Sequence, residues 1–453
     1  MGRDLPTLPL AAVLTVTALS VTLLRLPALR STNAGTVTAL VAIVPLVATI
    51  FLVLGSKRAK PDIPLFRACL FALFVLLLAV GLFRQGQSGF VFSEGSAMVQ
   101  VSVLVVVSLF AVLTLMQRLS KPNERLVAIA VGLAPVVFVA TNIGLDMLGI
   151  EPPASGVSEA VPPAQLLSFL GLTIDRSAFP LSRSYNNFGV IAGASLAVSL
   201  VLTRDGERLT RSAGVLGAVL SVYALLRVDT RAALLFAVLA AAACTVTPAT
   251  FRRSIAWVPL LIPVSAFIVL TITSLLGSTA FGGELTRTRG SDLASASGRE
   301  FVWYPVLTFL QQENPWFGFG AFGHVVSGVS GGYAARFGGR PDALLISTHN
   351  FGLQTILDVG YVGLVVVVAL LVLSLRNSAL GSPTVESFPD AAICAALLFF
   401  VLAGFSEATP TLYAPEAFFA WVPMVIWGLR NRERIDARDP VPGGRSTVRR
   451  EPA

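Results

Sequence analysis

Residues 351–375 read FGLQTILDVGYVGLVVVVALLVLSL, with Asp358 as the single charged side chain. A helix needs about 20 apolar residues to cross a hydrocarbon core of roughly 30 Å, so this run is long enough to span a bilayer. Working outward from it, the same pattern recurs in both directions. The further apolar runs are Leu8–Leu24, Gly35–Leu54, Pro64–Phe83, Met98–Met116, Leu126–Leu148, Asn187–Leu202, Ala213–Leu226, Ala232–Thr247, Ile255–Leu276, Ala391–Phe405 and Tyr413–Leu429. The expected fold is therefore an all-α polytopic membrane protein with about twelve transmembrane helices.

Composition agrees. The 453 residues are 55% hydrophobic and 13% charged, with a mean hydropathy of +0.78. A soluble domain carries about 25% charged residues, because it must cover its surface with them. Cys69, Cys244 and Cys394 all sit inside apolar runs, which excludes a disulfide framework. The net charge of +8 comes from basic residues at the ends of the runs. They argue for membrane topology and lipid contact, with no nucleic acid partner.

Those basic residues fall in alternate connections. Lys57, Arg58, Lys60 and Arg67 form one set, and Arg118, Lys121 and Arg125 the next. Arg204, Arg208 and Arg211 follow, then Arg252 and Arg253, then Arg376, and finally Arg430, Arg432, Arg434 and Arg438. The positive-inside rule puts these connections and both termini in the cytoplasm of an inner (cytoplasmic) cell membrane. The first run lacks a small-residue cleavage site and reads as an anchor. No soluble domain and no 20–50-residue repeat is evident. The chain divides into helices one to nine (1–276, with an outward loop near 149–186), a large extracytoplasmic loop (277–350), helices ten to twelve (351–429) and a basic cytoplasmic tail of disordered character (430–453). The large loop contains Phe301, Trp303, Tyr304, Trp316, Phe317, Phe319, Phe322 and Tyr333. Loops of that length are usually functional, and this one predicts a folded cap with short helices over a cavity.

Candidate chemistry gathers in and around the outward segments. Ser297-Gly298-Arg299-Glu300 has the spacing of a capping box and predicts a helix over Phe301–Gln311, bent or broken near Pro305. Arg299 would then lie in the first turn, where free amides and the helix dipole favour an anion. The same residues also suit a capped surface helix with a solvated arginine. Asn314-Pro315 and the Gly318-Phe319-Gly320 that follows read as a turn that brings backbones close, not as a dinucleotide loop, since no strand precedes it. His324 and His349 are the only histidines. His349 stands where the loop re-enters the membrane and can exchange a proton near neutral pH. Two histidines without cysteine partners do not build a zinc site, and no metal or other cofactor is expected. Arg227, Asp229 and Arg231 mark an outer helix junction, where charges usually face a cavity. Asp358 and Glu407 are carboxylates in apolar surroundings, suited to orienting the arginines or His349. Asn186 and Asn187 suit helix caps or sugar-binding amides.

Taken in order, Ser297-Gly298-Arg299-x-x-x-Trp303, Pro315-x-x-Gly318-x-Gly320, His349-Asn350-x-x-Leu353-Gln354 and Asp358-x-Gly360-x-x-Gly363 resemble the O-antigen ligase and polymerase superfamily. Thr230-Arg231-Ala232 looks like that family's Ser/Thr-Arg-small motif, and Asp358 stands where the family more often has Glu. The resemblance covers about Val228 to Glu407. It implies a metal-independent, inverting membrane glycosyltransferase. The donor would be a glycan on a polyprenyl-diphosphate carrier, and the acceptor a glycan, lipid or protein hydroxyl on the extracytoplasmic face.

The residues suit that chemistry. Displacing a diphosphate from an anomeric carbon needs positive charge at the leaving group and a base at the acceptor. Arg231 and Arg299 would clamp the diphosphate, with Arg227 and Arg84 as weaker candidates. His349 would be the general base. Asn186, Asn187, Trp303, Asn350, Asp358 and Glu407 complete the expected substrate-binding set. Ligase and polymerase are not separable on these residues. A transporter of a glycan or lipid and a non-catalytic receptor or assembly factor are the competing classes.

Overall fold

Helices that are apolar on every side have no face to turn to water and pack against protein or lipid. The computed structural model describes residues 63–87, 124–150, 178–182, 184–246, 249–277, 299–320, 322–334, 346–379, 388–411 and 415–430, and every regular element among them is helical. The helices are α1 (Leu65–Gln87), α2 (Glu124–Met147), α3 (Tyr185–Leu202), α4 (Arg208–Val228), α5 (Arg231–Thr245), α6 (Ala249–Ile255) and α7 (Ser265–Gly277). They continue with α8 (Glu300–Glu313), α9 (Gly323–Val326), α10 (Gly331–Ala334), α11 (Phe351–Ala379), α12 (Phe388–Ala403) and α13 (Pro415–Gly428). A 3-10 segment, Val258–Val264, joins α6 to α7.

Among the described residues, five stretches are long and apolar enough to cross a membrane: Val127–Met147, Tyr185–Leu202, Arg208–Val228, Phe251–Ile272 and Phe351–Ala379. Leu65–Leu78, Arg231–Thr245 and Phe388–Ala403 are shorter apolar helices. The runs at Leu8–Leu24, Gly35–Leu54 and Met98–Met116, most of the 149–186 loop and the tail after Arg430 lie outside the described residues. The ninth run is not one uniform helix. Pro259 and Pro263 remove backbone donors, and the chain passes through the 3-10 segment there.

α3 and α12 form the centre. Nearly all of α3 is buried, and its small residues let neighbours approach. A methyl on Gly193 would strike the Phe399 ring of α12, and one on Gly217 of α4 would strike Ser199 of α3. Ser195 of α3 and Ser221 of α4 share a hydrogen bond of 2.7 Å. Small residues and hydroxyl pairs of this kind join helices where lipid offers no hydrophobic drive to association. The outer surface is apolar in turn. Val215, Leu216 and Val219 of α4 and Leu235, Val238 and Leu239 of α5 are exposed, as lipid contact demands.

α11 is kinked inside the long apolar run that contains it. Gly360 has φ 79° and ψ −178°, so the helix kinks there. The turn after α8 fills the gap. Phe319 N donates to Leu357 O at 2.7 Å and Gly320 N to Asp358 O at 2.9 Å, while Tyr361 N and Val362 N donate to Pro315 O and Trp316 O at 3.1 and 3.2 Å. Backbone groups released by the kink are thus paired by the loop, which is the condition for irregular backbone at membrane depth. Glycine is required at both sides. A Cβ on Gly318 would lie 2.6 Å from Asp358 O, and one on Gly360 would collide with Trp316 O.

Candidate functional site

The site is assembled around Glu407, four residues beyond the end of α12. Arg299 Nη2 donates to Glu407 Oε1 at 2.7 Å. His349 Nδ1 lies 3.2 Å from Glu407 Oε2. One carboxylate therefore holds a guanidinium from the start of α8 and an imidazole from the start of α11, across 108 and 58 positions of sequence. The three side chains are 20%, 15% and 28% exposed for Arg299, Glu407 and His349, so the cluster is anchored yet reachable. Burial alone would push the Glu407 carboxyl up. The charge of Arg299 and the hydrogen bond and charge of His349 outweigh it and hold Glu407 below the usual glutamate range.

His349 itself has a left-handed backbone, φ 49°, which a non-glycine residue keeps only when its surroundings impose it. The next residue, Asn350, caps α11. Its Oδ1 accepts from Leu353 N at 3.0 Å, and its Nδ2 donates to Ser265 Oγ at 2.9 Å and to Phe405 O at 3.0 Å. Phe351 N donates to Gly404 O at 2.8 Å. The start of α11 is thereby tied to the start of α7 and to the chain leading into Glu407.

Other candidates take different places. Arg231 Nε is 3.3 Å from Asp229 Oδ1. It begins α5 beside α3, since a Cβ on Gly189 would strike the Thr230 side chain. A Cβ on Gly193, in the middle of α3, would meet both Phe399 of α12 and Ala233 O of α5, so these three helices pack closely there. Arg231 has Asp229 as its observed partner, while the printed contacts of Glu407 are with Arg299 and His349. Arg227 faces Asp146 at 3.9 Å and Tyr223 Oη at 3.3 Å. Ser184, and neither asparagine, caps α3 by accepting from Asn187 N at 3.2 Å. Asn187 is buried, and Asn186 is partly exposed. Asp358 is buried, its Oδ1 accepting from Gly323 N and Gln354 Nε2, each at 2.8 Å. Trp303 is fully buried, its indole N–H donating to Thr348 O at 2.7 Å, so no ring face is open to a sugar. The Arg84 side chain lies outside the described residues, as does Ser297. Arg299 stands at the N-cap position of α8 instead of inside its first turn, and the helix runs through Pro305 to Glu313 without breaking.

Sequence reasoning passed over Gln354 as a working residue and saw nothing in His324. Both are fully buried polar residues one helical turn from Asp358 or joined to it through the loop. Their signal was weak: a glutamine inside an apolar run has to find partners. Among the described residues, no three of His, Cys, Asp and Glu group as they would around a metal ion.

A bundle of membrane-length apolar helices with an arginine, a carboxylate and a histidine converging at one end defines a polytopic membrane protein equipped for polar chemistry at its edge. Comparison with protein families is more particular: the family model described as O-antigen ligase matches residues 216–368. This places the chain's resemblance in the O-antigen ligase/polymerase superfamily, with glycosyltransferase-like activity at the general level. The matched segment contains Arg227, Arg231, Arg299, His349 and Asp358 and stops short of Glu407. A search of curated proteins gives no match.

Proposed function

We propose that this chain transfers a glycan from a polyprenyl-diphosphate carrier to an acceptor hydroxyl on the extracytoplasmic face of the inner membrane. In this reading about twelve helices span the bilayer, and both termini are cytoplasmic. The observation that carries the proposal is the single carboxylate of Glu407 gripping Arg299 and His349 together. A carboxylate at Nδ1 selects the tautomer with its proton on that nitrogen, leaving the Nε2 lone pair for the acceptor. The acceptor oxygen attacks the anomeric carbon as its proton passes to Nε2. The bond from that carbon to the phosphate oxygen breaks, the diphosphate leaves with the electron pair, and the configuration inverts. Arg299 and Arg231 supply positive charge to the leaving group.

A defined polyprenyl-diphosphate sugar and an acceptor in proteoliposomes test the reading. His349→Ala should cut turnover about 10²–10⁴-fold, the usual worth of a positioned base. Retained turnover in a folded variant overturns it.

A further inference from the structure

The residue before His349 is gripped on both sides. Thr348 O accepts the Trp303 indole N–H at 2.7 Å, and Thr348 N donates to Gln354 Oε1 at 3.3 Å. The Thr348 hydroxyl reaches over His349 to donate to Asn350 O at 2.9 Å. Trp303 and Gln354 are both fully buried, so neither can meet a substrate. The Gln354 amide is itself held in one orientation. Its Nε2 donates to Asp358 Oδ1 at 2.8 Å and faces His324 Nδ1 at 3.0 Å, which turns its oxygen to Thr348. Asp358 in turn is fixed by Gly323 N of the docked loop. The Thr348 carbonyl and the His349 N–H belong to one peptide plane, and with Asn350 held on the other side fixing Thr348 fixes the dihedral between them. That dihedral is the left-handed φ of 49° at His349, a conformation that neighbours must over-determine if it is to persist.

We propose that Trp303 and Gln354 are positioning residues for His349, acting through the Thr348 backbone to aim the imidazole at Glu407. The claim rests on the reading of His349 as the base, and it gives that reading a mechanical support. Neither residue touches the reacting atoms. The two act on opposite faces of the same short segment, one from α8 and one from α11, so the cap and the re-entering helix jointly set the ring.

The test uses the full chain in proteoliposomes with Trp303→Phe, which keeps an aromatic ring and removes the N–H, and Gln354→Met, which keeps length and removes both functions. Two readouts are taken: the kcat and KM for the lipid-linked donor, and the rate at which diethyl pyrocarbonate modifies His349. His324, buried and the only other histidine, serves as the internal reference for Trp303→Phe; because it touches Gln354, His349 in Gln354→Met is compared with wild type directly. Each removal should lower kcat by about 10–100-fold, the cost of misplacing a reacting group by about 1 Å. Donor KM should stay within about 2-fold, since the donor contacts are intact. His349 reactivity should change in parallel. The double variant should lose less than the product of the single losses, since both act on one peptide. Unchanged kcat, a rise in KM alone, or unaltered His349 reactivity overturns the proposal. If Gln354→Met does not fold, Trp303→Phe decides. Should His349→Ala remain active, the base role fails, while the His349 reactivity still decides whether the two residues orient the ring.

Discussion

His349 Nδ1 stands 3.2 Å from Glu407 Oε2, and in the proposed mechanism that contact would leave Nε2 for the acceptor. Glu407→Gln keeps the shape of the side chain but can present its NH₂ to the ring, which favours the other tautomer. Turnover of the lipid-linked donor should fall about 10²–10⁴-fold, as when the orienting acid of a catalytic triad is neutralised. Donor binding, read by KM, should change far less. Rates within a few-fold of wild type would show that Glu407 does not set the tautomer.

The same carboxylate should make the fold acid-sensitive. Glu407 is held below the usual glutamate range because Arg299 and His349 together outweigh its burial. Its folded pKa is therefore lower than its unfolded value of about 4.3. The unfolded chain binds the proton more readily, so the stability Glu407 contributes is present in full above that unfolded value. It is lost as pH falls through the lower folded pKa. Thermal unfolding in detergent between about pH 6 and about pH 3 should show a steeper loss of Tm for wild type than for Glu407→Gln, which has no such proton to take up. Parallel curves would remove this group from the acid response.

Gly318 should tolerate no side chain. A Cβ would lie 2.6 Å from Asp358 O at a backbone φ of +65°, so Gly318→Ala meets both a backbone clash and left-handed strain. A loss of about 2–5 kcal/mol is expected from overpacking and strain combined. Gly331→Ala is the control, because nothing lies within 4 Å of its Cβ position. That change should stay within about 1 kcal/mol. Thermal unfolding of the two variants in one detergent separates them, and equal stability would show that the loop is not seated on the kink.

That seating shows where the sequence was legible and where it was not. Apolar runs place helices because lipid leaves no other choice for the backbone. The Pro64–Phe83, Leu126–Leu148 and Asn187–Leu202 runs accordingly fall on α1, α2 and α3. The glycines after Asn314-Pro315 pointed to close backbone approach, and the approach occurs. Its target, the Gly360 kink, was hidden because valine and leucine on both sides of Gly360 satisfy the helical pattern equally well. Arg299 and His349 were legible as chemical types in a loop expected to face outward. Glu407 was legible only as a carboxylate in apolar surroundings, since its partners are 108 and 58 residues away and no periodicity links them. Trp303 was expected in the substrate-binding set and is a fully buried donor to Thr348 O. An aromatic side chain in a loop does not announce which of those it is.

The two arginines should separate under charge-preserving substitution. Arg299 is joined to Glu407 through Nη2 at 2.7 Å. Arg231 is joined to Asp229 through Nε at 3.3 Å and begins a different helix, α5. A lysine retains the positive charge and loses the planar fork that holds two oxygens at once. Arg299→Lys should therefore damage two things, the grip on the leaving diphosphate and the seat of Glu407 that orients His349. Arg231→Lys should damage only the first. We expect kcat for the lipid-linked donor to drop about 10²–10³-fold for Arg299→Lys, the cost of losing a preorganised hydrogen-bond donor at the developing charge. For Arg231→Lys the loss should be smaller and accompanied by a rise in donor KM. The pH dependence of kcat distinguishes them further. It should shift in Arg299→Lys, where the environment of Glu407 and His349 is altered, and stay in place in Arg231→Lys. Identical pH profiles would detach Arg299 from the imidazole and confine it to holding the donor.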